Sequence, residues 1–178
     1  MTGPMPASAW IARFADIVPP AAPVLDLAAG GGRHTRFFAA RGHPVLAVDR
    51  DISRLPGGLA WDLEDGSEWP FAGRRFGAVV VVNYLHRPTL AATVSLVAPG
   101  GLLLYETFAE GQEAFGRPRN PDFLLRPGEL LEAVSDRLVV LAYEHGQVEG
   151  PRMVQRIAAM DPGPAGRPDA SSSISMSR

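Results

Sequence analysis

Residues 24–49 constrain this chain most. They read VLDLAAGGGRHTRFFAARGHPVLAVD: an apolar run, three adjacent glycines, a stretch with helical spacing, a glycine stop and a second apolar run ending in an aspartate. Short apolar runs that keep no polar face suit strands buried on both sides, and those occur in parallel sheets. Two parallel strands need a crossover, which is nearly always a right-handed helix. The segment therefore predicts a strand–helix–strand unit at 24–28, 33–41 and 45–48, and such units build open α/β sheets.

The pattern repeats downstream. Residues 76–82, FGAVVVV, predict a central strand rich in β-branched residues. A helix is expected over 89–97, a strand over 102–106, a helix over 127–134 with Pro127 in its first turn, and two last strands over 138–142 and 153–159. Upstream, SAWIARFADIV has Trp10, Ile11, Phe14, Ile17 and Val18 at helical spacing, and Pro19 stops it. One domain is expected over 1–160, and 161–178, rich in Pro, Gly and Ser, is expected to be a disordered tail.

Two missing residue types exclude chemistry. The sequence has no cysteine, so no thiolate nucleophile, thiolate metal site or disulfide is available. It also has no lysine, since all 17 Lys+Arg residues are arginine. A Schiff base needs a lysine amine and a phosphate-binding P-loop needs its GK[ST], so both are excluded. His34, His43, His86 and His145 show no metal-ligand spacing, and no metal site is expected. The net charge of -2 gives no general attraction to nucleic acid or acidic lipid. No apolar run approaches membrane-span length and no leader pattern opens the sequence, so a cytoplasmic location is expected.

The glycine turn identifies the kind of ligand. A dinucleotide fold uses GxGxxG with the pyrophosphate over the helix start. Here the glycines are adjacent, and Thr35 and Arg36 stand where a third spaced glycine would have to be. Asp26 precedes the turn, and a carboxylate there repels a pyrophosphate. The turn suits a ligand that brings a cation or an amine, or it is a tight turn that holds no ligand.

With these residues in place, VLDLAAGGG resembles motif I of the class I S-adenosylmethionine-dependent methyltransferases, whose usual form is VLDLGxGxG. Ala28 stands at the first glycine, and Gly30 and Gly32 match the second and third. The resemblance covers about residues 8–160. It implies a Rossmann-like, doubly wound, mostly parallel sheet with a last antiparallel strand. It also implies S-adenosyl-L-methionine as cofactor, with Asp26 organising the loop near the methionine amine. Asp49 would take the ribose hydroxyls, Asp62 the adenine amine, and Leu63 would lie on the adjoining backbone. FGAVVVVNYLHRP resembles motif IV, which adds Asn83 to the cofactor side, and LVAPGGLLLYETF resembles the helix–PGG–strand after it. Among subgroups the pattern is most similar to small stand-alone bacterial enzymes of the tellurite-resistance-like type.

One segment departs from the family. Between Asp49 and Asp62 the sequence is RDISRLPGGLAW, too broken by Pro56, Gly57 and Gly58 for a full crossover. A helix of about one turn or none, and a short or missing third strand, are expected. Trp61 then either covers the adenine ring or is ordinary core.

Ligands in open α/β sheets lie beyond the carboxyl ends of the strands. The candidates there are His86, Tyr84 and Asn83 for catalysis, with His86 the first choice as base or substrate orienter. Asn83 and Tyr84 weakly resemble the (D/N)PPY motif of amino-methylating enzymes, without its prolines. Glu106, Phe108, Arg117, Arg119 and Asn120 are the candidates for binding substrate, the arginines suiting an anion. Glu144 and His145 are placed past the sixth strand. His34 is expected to be structural or cofactor-adjacent, and the long loop 107–122 has the length of a lid. The expected activity is methyl transfer to a small-molecule acceptor by a monomer or weak homodimer. A cofactor-binding protein without catalysis is the alternative, ahead of an RNA or protein methyltransferase or an NAD enzyme. Neither nucleic acid nor a membrane is an expected partner.

Overall fold

The structure, a computed structural model, describes residues 5–71 and 73–164. Seven strands form one sheet in the order β3-β2-β1-β4-β5-β7-β6. β1 (Val24–Leu27), β2 (Val45–Asp49), β3 (Leu59–Ala60), β4 (Phe76–Val82) and β5 (Val97–Phe108) pair in parallel. β7 (Arg152–Met160) runs antiparallel between β5 and β6 (Val139–Val148). This is the expected doubly wound sheet with its antiparallel last strand.

The period-two rule divides the core. From β4, Val79 and Val81 enter one apolar cluster with Val94, Leu130 and Val134. These come from α3 (Arg87–Ser95) and α4 (Glu129–Val134). Ala78, Val80 and Val82 enter the other cluster with Trp10, Ile11 and Phe38, from α1 (Ala9–Phe14) and α2 (Arg33–Ala39). Every residue of β4 is buried, as a strand covered on both faces requires.

Several boundaries differ from expectation. α3 starts at Arg87, with Pro88 in its first turn, and ends early because Val97 already pairs with Phe76 in the sheet. The PGG at 99–101 stays inside β5, and a Cβ at Gly101 would come within 2.8 Å of the Phe76 carbonyl. β5 also continues to Phe108, because Thr107 and Phe108 pair with Gln155 and Val154. Asp161 was assigned to the tail by composition. It is 1% exposed, and it exchanges backbone hydrogen bonds with Gly100 (2.8 Å) and Gly101 (3.0 Å). The described ladder therefore continues one step past β7; residues 165–178 lie outside the described residues. Among the described residues no helix is long and apolar enough to cross a membrane.

The weak crossover after β2 is as short as expected. No helix forms between β2 and β3, and β3 has only two residues, Leu59 and Ala60, opposite Val48 and Asp49. Leu55, 3% exposed, replaces the missing helix by packing on Ala29 and Ala47.

The segment after β5 is tied down by polar contacts. Its two 3₁₀ turns are Gln112–Ala114 and Pro121–Phe123. Buried Gln112 accepts from the Met153 amide (2.8 Å) and donates to the Arg117 carbonyl (3.2 Å). At the far end, Arg87 grips Glu129 with two hydrogen bonds of 2.6 and 2.9 Å. It also donates to the carbonyls of Asp122 (3.0 Å) and Leu124 (2.7 Å). Burial raises the Glu129 carboxyl, but the Arg87 guanidinium and the Arg126 amide outweigh it and hold it below its ordinary value.

Removing Arg87 strands a buried carboxylate and frees two carbonyls. Arg87→Met is expected to cost about 2–3 kcal/mol in urea unfolding at pH 7, below the value for a fully buried pair because Arg87 is partly exposed. The depressed Glu129 pKa means the pair stabilises above the ordinary glutamate range and is lost as pH falls through the folded value. The difference between wild type and variant should therefore shrink on acidification. A difference that stays constant with pH contradicts this assignment.

Candidate functional site

The glycine turn lies past the carboxyl ends of β1, β2 and β4, which run in register with Asp26 opposite Ala47 and Val80. Gly30 and Gly32 have φ of +54° and +70°, a region that favours glycine. At Gly32 a Cβ would also sit 2.5 Å from the Leu55 side chain, so the plug that replaces the crossover helix leaves no room for one. Ala28 and Asn83 are the non-glycine residues nearest the site with positive φ, +52° and +57°. Asparagine tolerates this conformation, whereas alanine is strained in it. The two residues come from adjacent strands and both line the boundary between two cavities.

The first cavity, about 290 Å³, is lined by Asp49, Arg50, Trp61, Asp62, Leu63, Glu64 and Tyr84. The second, about 760 Å³, is lined by Asp26, Gly30, Gly31, Arg33, His34, Arg36 and Arg54, among others. Their polarity differs. The first offers three carboxylates and one guanidinium; the second offers three guanidiniums and one carboxylate. The first suits hydroxyl and amine donors, and the second suits a zwitterion with its own carboxylate and ammonium.

Asp26 is 2% exposed and accepts from the Thr35 hydroxyl at 2.6 Å. Burial raises its pKa to about 6, against the hydrogen bond from Thr35. Asp49 accepts from the Gly30 amide (2.9 Å) and the Asp51 amide (3.0 Å). The turn thus lies between two carboxylates, and a turn amide that a pyrophosphate would use is already bonded to one of them. His34 accepts at Nε2 from the Ser8 amide (3.2 Å), and burial lowers its pKa to about 4. It is neutral at physiological pH, carries its proton on Nδ1, and joins α1 to the cavity wall.

A third cavity, about 310 Å³, opens on the other side of Asn83 and Tyr84. Leu85, Thr107, Phe108, Pro118 and Phe123 line it, with Glu64 at its edge. Asn83 lines all three cavities. The Tyr105 hydroxyl donates to the Tyr84 carbonyl at 2.8 Å and fixes this strand exit from beneath. Burial and the Glu64 carboxylate push the Tyr84 phenol up, so it remains a donor.

The structure brings together Asp26, Ala28, Gly30, Asp49, Asp62, Leu63, Asn83, Tyr84 and Phe108, with Gly32 forming the turn beneath. It separates the others. His86 caps the start of α3, its Nδ1 lies 3.2 Å from the Thr89 hydroxyl, and it lines none of the three cavities. Glu106 faces the opposite side of the sheet, where it is buried against the Ser8 hydroxyl (3.1 Å) and Arg156 (3.4 Å). Arg117, Arg119 and Asn120 border a separate, open depression behind Pro118 and Phe123. The Asn120 side chain caps its own 3₁₀ turn by accepting from the Asp122 amide (3.0 Å). Glu144 and His145 lie within β6, not past its end. Glu64 and Arg54 line the cavities without a motif to announce them, and only their place beside Asp49 and Asp62 could have found them, whereas Trp61, expected either there or in the core, lines the first cavity.

The raised Asp26 pKa has a stability consequence. Between the ordinary value of 3.8 and about 6 the folded protein holds a proton that the unfolded chain releases. Stability is therefore highest below the lower value and falls as pH rises through the upper one. Asp26→Asn keeps an acceptor for Thr35 and removes the buried charge. In denaturant unfolding without ligand it should raise stability at pH 7.5 by up to about 3 kcal/mol and change little below pH 4. Destabilisation at pH 7.5 contradicts the buried-charge reading.

No family profile and no curated protein matches the sequence. Solved structures do match the fold. TehB from Haemophilus influenzae superposes with a TM-score of 0.67 at 16% identity, covering 87% of this chain and 62% of that one. This chain thus spans less than two thirds of the Haemophilus protein. The N-methyltransferase NodS from Bradyrhizobium japonicum gives 0.63 at 15% identity, covering 85% and 93%. The 1,6-didemethyltoxoflavin-N1-methyltransferase from Burkholderia thailandensis, with 1,6-didemethyltoxoflavin and S-adenosylhomocysteine bound, gives 0.59 at 18% identity, covering 86% and 78%. The chain has the fold of the S-adenosylmethionine-dependent methyltransferases.

Proposed function

We propose that the protein binds S-adenosylmethionine and transfers its methyl group to a small-molecule acceptor. The observation that carries this reading is the polarity division across Ala28 and Asn83. A zwitterion-suited cavity meets a carboxylate-lined cavity, and the proposed ligand has an amino-acid end and a hydroxyl- and amine-bearing adenosine end. The Trp61 indole N–H is buried with no hydrogen-bond partner among the described residues, and its residue lines the adenosine-side cavity. A bound heterocycle offers acceptors there.

Each residue then has a physical task. Asp26 and the arginines 33, 36 and 54 hold the ammonium and carboxylate of the amino-acid end. Asp49 takes the ribose hydroxyls, and Asp62 with the backbone at Leu63 takes the adenine edge. Trp61 supplies the wall that the short crossover omits. When bound, the cofactor supplies a methyl group activated by a sulfonium. The chain's own work is to align the acceptor in line with that methyl and to exclude water. Asn83 stands where all three cavities meet, and Tyr84 lines both the adenosine-side and the third cavity. His86 has no place in this scheme.

Calorimetric titration tests the cofactor. S-adenosylmethionine and S-adenosylhomocysteine should bind, and NADH should give no heat. Asp49→Ala should weaken both binders by about tenfold or more, because a carboxylate accepting from two hydroxyls contributes on the order of 1.5–3 kcal/mol. Binding of NADH with no response to either methionine compound overturns the reading. Cofactor binding without turnover on any acceptor supports the alternative, a binding protein without catalysis.

A further inference from the structure

The third cavity identifies the class of acceptor. We propose that it takes an amine carried on a flat, apolar body, and that it rejects oxyanions and carboxylates. This rests on the methyltransferase reading above and goes beyond it in naming the substrate class.

The lining is the argument. Tyr84, Phe108, Phe123, Pro118 and Leu85 give an apolar, largely aromatic wall in a space of about 310 Å³. Aromatic faces favour flat apolar groups and, through their ring quadrupoles, cations. Among the residues lining this cavity, Glu64 is the only charged side chain. Glu64 also lines the adenosine-side cavity, with Asp49 and Asp62. The approach from acceptor cavity to cofactor is thus dominated by carboxylates, which repel an anion and favour N–H donors. Arg50 lines the adenosine-side cavity beside those three carboxylates, and no arginine lines the third cavity. Arg117 and Arg119 border the depression behind Pro118 and Phe123, and Arg33, Arg36 and Arg54 line the amino-acid side of the cofactor cavity.

The step balances with residues already placed. The amine, which arrives largely as its ammonium, first releases one proton to water, and the neutral nitrogen then gives its lone pair to the methyl carbon. The S–CH₃ bond breaks with its electrons staying on sulfur, which becomes a neutral thioether, and a new N–C bond forms. The methylated nitrogen then releases one proton, to the Glu64 carboxylate or to water. Glu64 accepts an N–H hydrogen bond before transfer, and the apolar wall keeps competing water out. Thr107, also in the lining, supplies a hydroxyl at the floor of the cavity.

The test uses the full chain with S-adenosylmethionine and reads S-adenosylhomocysteine formation, with mass spectrometry of the acceptor. The probes are 2-phenylethylamine, 3-phenylpropionate as its anionic counterpart, ethanolamine as an amine without the apolar body, and tellurite. The aromatic amine should gain one methyl group, and the carboxylate and tellurite should not react. Ethanolamine should be at least about tenfold poorer in kcat/KM than the aromatic amine. Glu64→Gln should raise KM for the aromatic amine by about tenfold, the loss expected for a charged acceptor, and narrow the preference over 3-phenylpropionate. Phe123→Ala, on an exposed side chain, should raise KM for the aromatic amine and leave that for ethanolamine unchanged. Binding of the probes to the S-adenosylhomocysteine complex is measured alongside, by calorimetry. Methylation of tellurite or the carboxylate overturns the proposal. So does cofactor binding with neither turnover nor binding of the aromatic amine. Absence of cofactor binding is a different result and removes the methyltransferase reading itself.

Discussion

The turn between β1 and α2 is held by carboxylates from two neighbouring strands, and the rest of the site depends on that. Asp26 reaches forward to Thr35 in α2, and Asp49 reaches across to the Gly30 amide. One bond sets where the helix begins and the other sets how the loop curves. Burial makes the Asp26 carboxylate costly even with Thr35 bonded to it, and its raised pKa carries that cost, with a smaller contribution from Asp49. Such a site is destabilised until something cationic arrives, which is how binding sites commonly differ from the core around them. The same two carboxylates explain why a glycine-rich turn at a strand exit does not have to mean phosphate.

The short second crossover shows how much of a fold can be dropped without losing the site. A full helix would cover β2 and wall the first cavity. Leu55 alone does the first task, packing on Ala29 and Ala47 and closing over Gly32. Trp61 and Leu63 do the second, from a segment without helix or long strand. A large aromatic side chain contributes area at little cost in ordered backbone, which suits a chain that has left out an element.

The βαβ unit, the buried FGAVVVV strand and the weak segment after Asp49 were legible because each is a local pattern: period, glycine position, helix breakers. The extent of β5 depends on pairing between residues more than forty positions apart, such as Thr107 with Gln155, which no window along the chain contains. The same limit governed the site. Asp26, Asp49 and Asn83 sit at strand ends, where position along the sequence implies position at the cavity. Glu106 also sits near a strand end, but side chains alternate between faces. Tyr105 and Glu106 therefore point to opposite sides, and Glu106 is buried against Arg156 and Ser8. Arg117 and Arg119 border the depression next to the third cavity and do not line that cavity, for another reason. A loop's sequence states its charge, but the direction it presents that charge is set here by Gln112 and Arg87, whose partners are distant.

Those anchors bear on selectivity as well as stability. Phe123 and Pro118 form part of the third cavity, and Arg87 holds the carbonyls of residues 122 and 124 beside Phe123. Arg87 in turn is held by Glu129, at the start of α4. The apolar wall of the cavity is therefore positioned by an ion pair outside it, while Arg117 and Arg119 of the same segment border an adjoining depression that shares Pro118 and Phe123 with it. On the proposed reading, a cationic side chain in that wall would oppose an amine and favour an anion, so the preference depends on how one polar cluster pins one loop.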